Sequence, residues 1–318
     1  MTNSKPSISV VTPTFRRSGE VAQLLDNLSS QTVLPDEVII VDGAEESDTE
    51  TEMTVLAAAT PFTVRYIRHN GGTAIQRNVG IDNAKGDLIA MLDDDVRLET
   101  DFFEAILEAF DADAEKKIGG MVGYRTNVHF SAEDSARWRW YRRLRLLKTF
   151  EPGRYDAKSG YPINNNMQPP FEGTRPVDFM TSACTVWRRE VFDSGLRFDP
   201  FFSDYGVLED AHLALRAKRD WELVQNGSAR CIELHSPNGR VSSRKVGYKC
   251  VVNYYFVFND TNRPLTRSQK LRFWRFQAFE FLRIAASLIR RRRWSDAEEL
   301  IGRIEGTLGV ARGAASGS

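Results

Sequence analysis

Three consecutive carboxylates, Asp93-Asp94-Asp95, close the apolar, strand-like run Leu88-Ile89-Ala90-Met91-Leu92. Like charges crowded at a sheet edge repel one another and raise their own pKa values, a cost that a bound cation offsets. Hard divalent ions such as Mn²⁺ or Mg²⁺ prefer carboxylate oxygens and keep coordination positions open for phosphate. The run therefore points to metal-assisted handling of a diphosphate; a solvated acidic loop is the other reading of the run alone. A second acidic pair, Glu209-Asp210, opens a predicted helix, where carboxylates suit the positive end of the macrodipole. Helix-start acids are common for that reason alone. Asp210 shares a helical face with Leu213, Ala214 and Ala217, which turns it toward the packed side and favours it over Glu209 as the working carboxylate.

The elements that must position these groups follow a regular alternation. From residue 7 to about 125, β-rich runs at 8–11, 37–41, 64–67 and 88–91 are separated by helical stretches near 19–30, 47–58 and 73–84. That pattern predicts an α/β fold with a mostly parallel sheet and crossover helices. Polar residues gather after each strand: Thr12-Pro13-Thr14, Asp42-Gly43, Arg68-His69-Asn70-Gly71-Gly72 and the Asp93 run. The carboxyl ends of parallel strands are where open α/β sheets bind ligands, so four polar loops are expected at one crevice. The loop from Thr12 to Gly19 holds a single glycine, which excludes the three-glycine dinucleotide fingerprint, and it has no lysine of a Walker A loop.

The remainder divides into three parts. Residues 126–176 combine Trp138, Trp140, Tyr141 and six basic residues between Arg137 and Lys148 with a Pro/Asn/Gly-rich stretch, and read either as a basic lid or as a solvated helix burying its tryptophans. Residues 177–250 resume the regular pattern, with 177–187 predicted as one strand and 198–207 as a flexible loop. Residues 251–318 are expected to be helical. Within them, 267–294 hold nine Lys/Arg and one acid, Glu280, interleaved with large apolar residues, the pattern of a basic amphipathic helix suited to an anionic membrane surface. The same pattern also fits a helix that packs its aromatic side on the rest of the protein. The tail from Gly313 is of low complexity and expected to be disordered.

The whole chain sets outer bounds. At 318 residues and 42% hydrophobic content it can bury a substantial core, and its formal net charge of zero gives no global field for nucleic acid. Cys184, Cys231 and Cys250 lack the spacing of a zinc site or a disulfide framework, and 1–6 leaves no room for a signal peptide, so a reduced cytoplasmic setting is expected. No apolar run reaches the 18 or so residues that would suggest a membrane span.

Taken in order, Val10-Val11-Thr12-Pro13-Thr14-Phe15-Arg16, Val41-Asp42-Gly43, 71–80, Leu92-Asp93-Asp94-Asp95 and Glu209-Asp210 with Leu213 and Arg216 resemble the family-two glycosyltransferases, inverting enzymes of the GT-A fold that use nucleotide-diphosphate sugars. The resemblance spans roughly 7–240. It implies that Pro13, Thr14 and Arg16 border the nucleotide and that Asp42 bonds the base, commonly uracil or thymine. By the same resemblance Arg77 holds nucleotide or phosphates, Asp93 and Asp94 lie at the ribose and donor sugar, and Asp95 binds Mn²⁺ or Mg²⁺. His235 resembles the histidine that completes the metal site in some members. Asp210 would be the general base, and Glu209 would shape the acceptor site. Phe15 stands where many members have tyrosine, and Ser182 where the family often has glycine. The implied activity is transfer of a sugar from a UDP- or dTDP-sugar to a glycan acceptor in cell-surface polysaccharide synthesis. A lipid-linked acceptor and a place at the cytoplasmic face of a membrane are expected from the basic amphipathic C-terminal stretch alone, and the balanced charge leaves no nucleic-acid partner expected. A sugar nucleotidyltransferase, or a non-catalytic nucleotide-sugar or membrane-binding scaffold, are the rival readings.

Overall fold

The computed structural model describes residues 5–128, 136–147, 150–167, 169–204, 206–234 and 241–315. The chain forms two compact units, one of Met1–Phe130 with Asn165–Asn238 and one of Ser131–Asn164 with Gly239–Ser318. The first begins with β1 (Ile8–Thr14), α1 (Ser18–Ser29), β2 (Glu37–Asp42), α2 (Glu50–Ala57), β3 (Thr63–Arg68) and α3 (Thr73–Asn83). It continues through β4 (Leu88–Leu92), β5 (Val96–Leu98), α4 (Phe102–Ala112) and β6 (Ile118–Arg125). The second unit then receives α5 (Ala136–Arg143), β7 (Tyr155–Asp156) and β8 (Tyr161–Pro162). The chain returns with β9 (Thr174–Pro176), β10 (Cys184–Arg188), α6 (Glu190–Asp193), α7 (Glu209–Ala217) and β11 (Glu222–Glu233). It finishes in the second unit with α8 (Ser243–Thr261), α9 (Arg267–Arg291) and α10 (Trp294–Ala311).

Among the described residues, nine strands of the first unit form one sheet in the order β3-β2-β1-β4-β10-β6-β11-β5, with β9 also pairing with β11. The β3-β2-β1-β4 half is parallel, as the alternation of runs predicts, whereas β10 enters antiparallel between β4 and β6. Strands β1, β2 and β4 are buried along their whole length, as expected of continuous apolar runs covered on both faces. Burial of each such Val, Ile or Leu contributes about 1.5–3 kcal/mol relative to exposure. Register places Thr14 beside Asp42 at the carboxyl ends of β1 and β2, and Val11 beside Met91, so the Asp93 run leaves the sheet at the same edge.

Two expectations change here. The strand predicted over 177–187 begins only at Cys184. The residues before it have other partners for their backbone groups: Val177 N–H donates to Leu223, the Ala183 carbonyl accepts from Asp93, and Ser182 N–H donates to a carboxylate of α7. The 126–176 stretch, expected as one lid, divides between the units. Its middle part joins the C-terminal helices because its aromatic residues find partners there. Tyr141 packs on Phe276 and Phe279 with ring centroids 5.1 and 5.5 Å apart and donates to Glu280 Oε1 at 2.6 Å. Arg137 also donates to Glu280, at 2.9 Å. Trp138 is buried in the same cluster and Trp140 is exposed.

In the second unit, Thr266 and Gln269 form a reciprocal capping box that starts α9. Helix α10 lies so close to α8 that a Cβ at Gly302 would meet the Arg244 carbonyl at 1.9 Å. The tail expected to be disordered is ordered as far as Ala315, through turns in which Ala314 N–H donates to the Gly309 carbonyl; 316–318 lie outside the described residues.

Candidate active site

Arg77 is the hub of the site. It lies on α3, is only 4% exposed, and donates from Nη2 to Asp93 Oδ1 at 2.7 Å and from Nη1 to Glu209 Oε1 at 3.4 Å. One guanidinium thus joins the two acidic motifs, which stand 16 and 132 residues from it in sequence. A planar fork of donors suits this bridging role better than a lysine point charge would. The Arg77 guanidinium also lies 5.7 Å from the Phe198 ring centroid, and Asn78 on the same helix exchanges two hydrogen bonds with the Phe198 backbone. The 198–204 segment, expected to be flexible, is therefore anchored to α3. It comes so near that a Cβ at Gly72 would meet the Asp204 carbonyl at 1.9 Å, while Gly72 N–H donates to Ser203 at 2.9 Å.

Asp94 accepts from Thr14 Oγ1 at 2.7 Å and from Arg17 Nη1 at 2.8 Å. Even so, burial pushes its carboxyl up to about 6. Asp95 lies 3.7 Å from the same Arg17. Arg16 faces elsewhere: half exposed, its Nε lies 3.1 Å from Asp48. Arg17 is thus the basic residue of this loop that reaches the acidic run, and nothing in the sequence separates the two neighbours. Asp42 is fully buried and holds two donors, the Ala44 N–H at 2.9 Å and the Tyr66 hydroxyl at 3.0 Å. Pro13 and Thr14 lie at the end of β1 beside Val41 and Asp42. Gln76 ties the same two strand ends together by donating to the carbonyls of Thr14 and Val41.

Leu208, in the left-handed region at φ 70°, turns the chain into α7, so that Glu209 and Asp210 occupy its first turn. Asp210 accepts from Ser182 N–H at 3.2 Å and from Ala211 N–H at 2.7 Å. Burial raises the Asp210 carboxyl above the usual range, and burial together with the charge of Asp210 pushes Glu209 up to about 7. The apolar face predicted for this helix is present, with Leu213, Ala214 and Ala217 buried. Ser182 acquires a role that its side chain did not announce, through its backbone amide.

Among the described residues, no group of three or more His, Cys, Asp or Glu side chains is placed to hold a metal. His235 lies outside the described residues. Asp95 nevertheless offers hard oxygen donors at the carboxyl end of β4, whereas both oxygens of the neighbouring Asp94 are engaged by Thr14 and Arg17. That donor set fits a cation held by one or two carboxylates, with water and phosphate completing its shell, and does not fit an all-protein cage.

An α/β sheet of this order, with acidic motifs meeting at its carboxyl edge, has the GT-A architecture. It is similar to the mannosyltransferase PcManGT from Pyrobaculum calidifontis in complex with GDP-Man and Mn²⁺, with a TM-score of 0.54, 17% identity, and coverage of 99% of this chain and 77% of that one. The chain belongs to glycosyl transferase family 2, whose model matches residues 9–196, and is a glycosyltransferase. It is 27% identical over 247 residues to the uncharacterized glycosyltransferase YwdF of Bacillus subtilis (strain 168), covering 76% of this chain and 79% of that protein. It is 30% identical over 109 residues to the putative teichuronic acid biosynthesis glycosyltransferase TuaG of the same organism, covering 34% of this chain and 43% of that protein.

Proposed function

We propose that the protein is an inverting, divalent-metal-dependent glycosyltransferase with Asp210 as general base. The observation that carries this reading is the buried Arg77 joining Asp93 to Glu209, which brings the two acidic motifs to one site. In such a transfer the acceptor hydroxyl attacks the anomeric carbon, the bond from that carbon to the diphosphate breaks, and a base takes the hydroxyl proton. Asp210 suits that task. Its oxygens take backbone N–H bonds and no guanidinium bond, and its raised pKa brings its proton affinity nearer to neutral pH. Glu209, held by Arg77, borders the acceptor hydroxyl.

Asp42 and Tyr66 face the base, with Pro13, Thr14 and Arg16 along the nucleotide. Asp93, Asp94 and Arg17 orient the ribose and donor sugar, and Arg77 receives phosphate charge. Asp95 would hold Mn²⁺ or Mg²⁺, which would neutralise the departing diphosphate. The bound Mn²⁺ and nucleotide sugar named for PcManGT support the choice of cofactor and donor class. The donor is read as a UDP- or dTDP-sugar, and the acceptor as a glycan or lipid-linked hydroxyl in envelope polysaccharide synthesis, in line with TuaG. No described helix is long and apolar enough to cross a membrane. The basic amphipathic α9 supports peripheral association with the cytoplasmic face of an anionic membrane.

The deciding experiment is thermal stabilisation by a panel of nucleoside diphosphates and their sugars, with and without Mn²⁺. A ligand at about 100 times its Kd stabilises the folded state by about 2.7 kcal/mol. The expected outcome is a metal-dependent rise in Tm with one nucleoside diphosphate, lost in Asp95→Ala. The absence of a shift with every nucleotide would refute the donor site.

A further inference from the structure

Helices α8, α9 and α10 border an open cleft of about 450 Å³, within the range of about 300–1,000 Å³ typical of sites for organic ligands. Val251 of α8, Trp274, Ala278 and Phe281 of α9, and Ile304 and Leu308 of α10 form its apolar wall. The polar wall groups are already matched. Arg303 donates to Gln277 Oε1 at 3.1 Å and to Glu299 Oε1 at 3.0 Å, and Thr307 donates to the Arg303 carbonyl at 2.9 Å. A polar ligand would gain little from groups whose bonds are made, whereas a hydrocarbon would gain the whole wall.

The apolar surface extends beyond the cleft. Leu271, Ala278, Leu282 and Ile289 recur along one exposed stripe of α9, and Trp294, Ile301, Ile304 and Leu308 along one stripe of α10. At the corner between the helices stand Arg290, Arg291, Arg292 and Arg293, all exposed and without an ion-pair partner among the described residues. They are flanked directly by Ile289, 80% exposed, and Trp294, 75% exposed. Three acids of α9 and α10 are ion-paired elsewhere, Glu280 with Arg137 and Arg283, Glu299 with Arg303, and Glu305 with Arg244, while Asp296 accepts from Ser287 and the charge of Glu298 acts on Arg244. The basic corner is left to attract anionic charge from outside, and its apolar flanks match the depth profile of a lipid interface.

We infer that the α8–α9–α10 cleft seats the hydrocarbon chain of an anionic membrane phospholipid whose phosphate headgroup is held by the Arg290–Arg293 corner. This inference rests on the membrane association proposed above and names its ligand.

The test uses full-length protein and vesicles of phosphatidylglycerol carrying mid-chain bromine, with phosphatidylcholine vesicles as the neutral control. The expected result is co-sedimentation with phosphatidylglycerol at least about tenfold stronger than with phosphatidylcholine, since each basic residue near an anionic surface adds about 1 kcal/mol. Bromine should also quench a component of tryptophan emission that is missing in Trp274→Phe. Ala278→Phe and Thr307→Phe fill the cleft from exposed positions, and each should remove that quenching while charge-dependent sedimentation persists. Sedimentation without quenching of Trp274 would overturn the lipid-chain site and leave surface association standing. Absence of sedimentation would overturn both. A concentration-dependent dimer that Ala278→Phe dissolves would assign the face to a second copy of the chain and refute the inference.

Discussion

With Asp210 as the proposed general base, catalysis and donor binding would separate at the scale of one side chain. The Ser182 and Ala211 amides bond different oxygens of Asp210, so Asp210→Asn keeps an acceptor for one of them, turns an NH2 toward the other, and loses the proton acceptor. It should lower kcat by about 10²–10⁴-fold while leaving the nucleotide-induced Tm shift within error, read by single-donor turnover and thermal shift together. The pH dependence of stability carries an independent signature. Glu209 and Asp94 stand above the ordinary carboxylate range, at about 7 and about 6, so the folded state holds their protons longer than the unfolded chain does. Their contribution to stability is therefore fullest below the ordinary carboxylate values and is lost as pH rises through the folded ones. Glu209→Gln removes one such group. Its Tm relative to wild type should increase from about pH 5 to about pH 8, a direction set by linkage; a flat or falling difference would show that Arg77 keeps Glu209 ionised throughout.

At the scale of elements, the contact between α3 and the 198–204 segment depends on the missing Cβ of Gly72. Gly72→Ala forces that segment away from α3 and should cost about 1–3 kcal/mol by overpacking. Because Asn78 and Arg77 meet Phe198 through the same helix, it should also reduce the donor-induced Tm shift. The parallel half of the sheet was legible because its strands are continuous apolar runs, each closed by a polar loop, and a sheet buried on both faces leaves that trace. The start of α7 was legible from its acids and its apolar face. The 177–183 stretch was not, because its composition is that of a strand while its backbone groups serve Asp93, Asp210 and Leu223. The choice between Arg16 and Arg17 was illegible for a similar reason. Adjacent guanidiniums on a loop are told apart by backbone direction, and Arg16 takes a left-handed φ of 54° that no composition announces.

At the scale of the whole molecule, the second unit is assembled from two distant stretches of chain. Tyr141 and Arg137 share Glu280, and Tyr141 lies against Phe276 and Phe279. Deleting 267–318 therefore removes more than a basic surface, since it strips the cover from the aromatic cluster of α5. The deletion should raise binding of a hydrophobic dye several-fold and lower solubility, in contrast to substitution of the Arg290–Arg293 corner, which should leave dye binding unchanged; dye fluorescence at equal protein concentration reads the difference. Synthesis on the ribosome meets the same arrangement in time. Tyr141 emerges 139 residues ahead of Glu280, and at about 5–20 residues per second the nascent aromatic cluster waits roughly 7–30 s for the helix that shelters it. The last strand of the sheet, ending at Glu233, is made within that interval. The order of translation thus lets the sheet close while the aromatic cluster of α5 still lacks its partners, and makes the helical unit mature after the sheet.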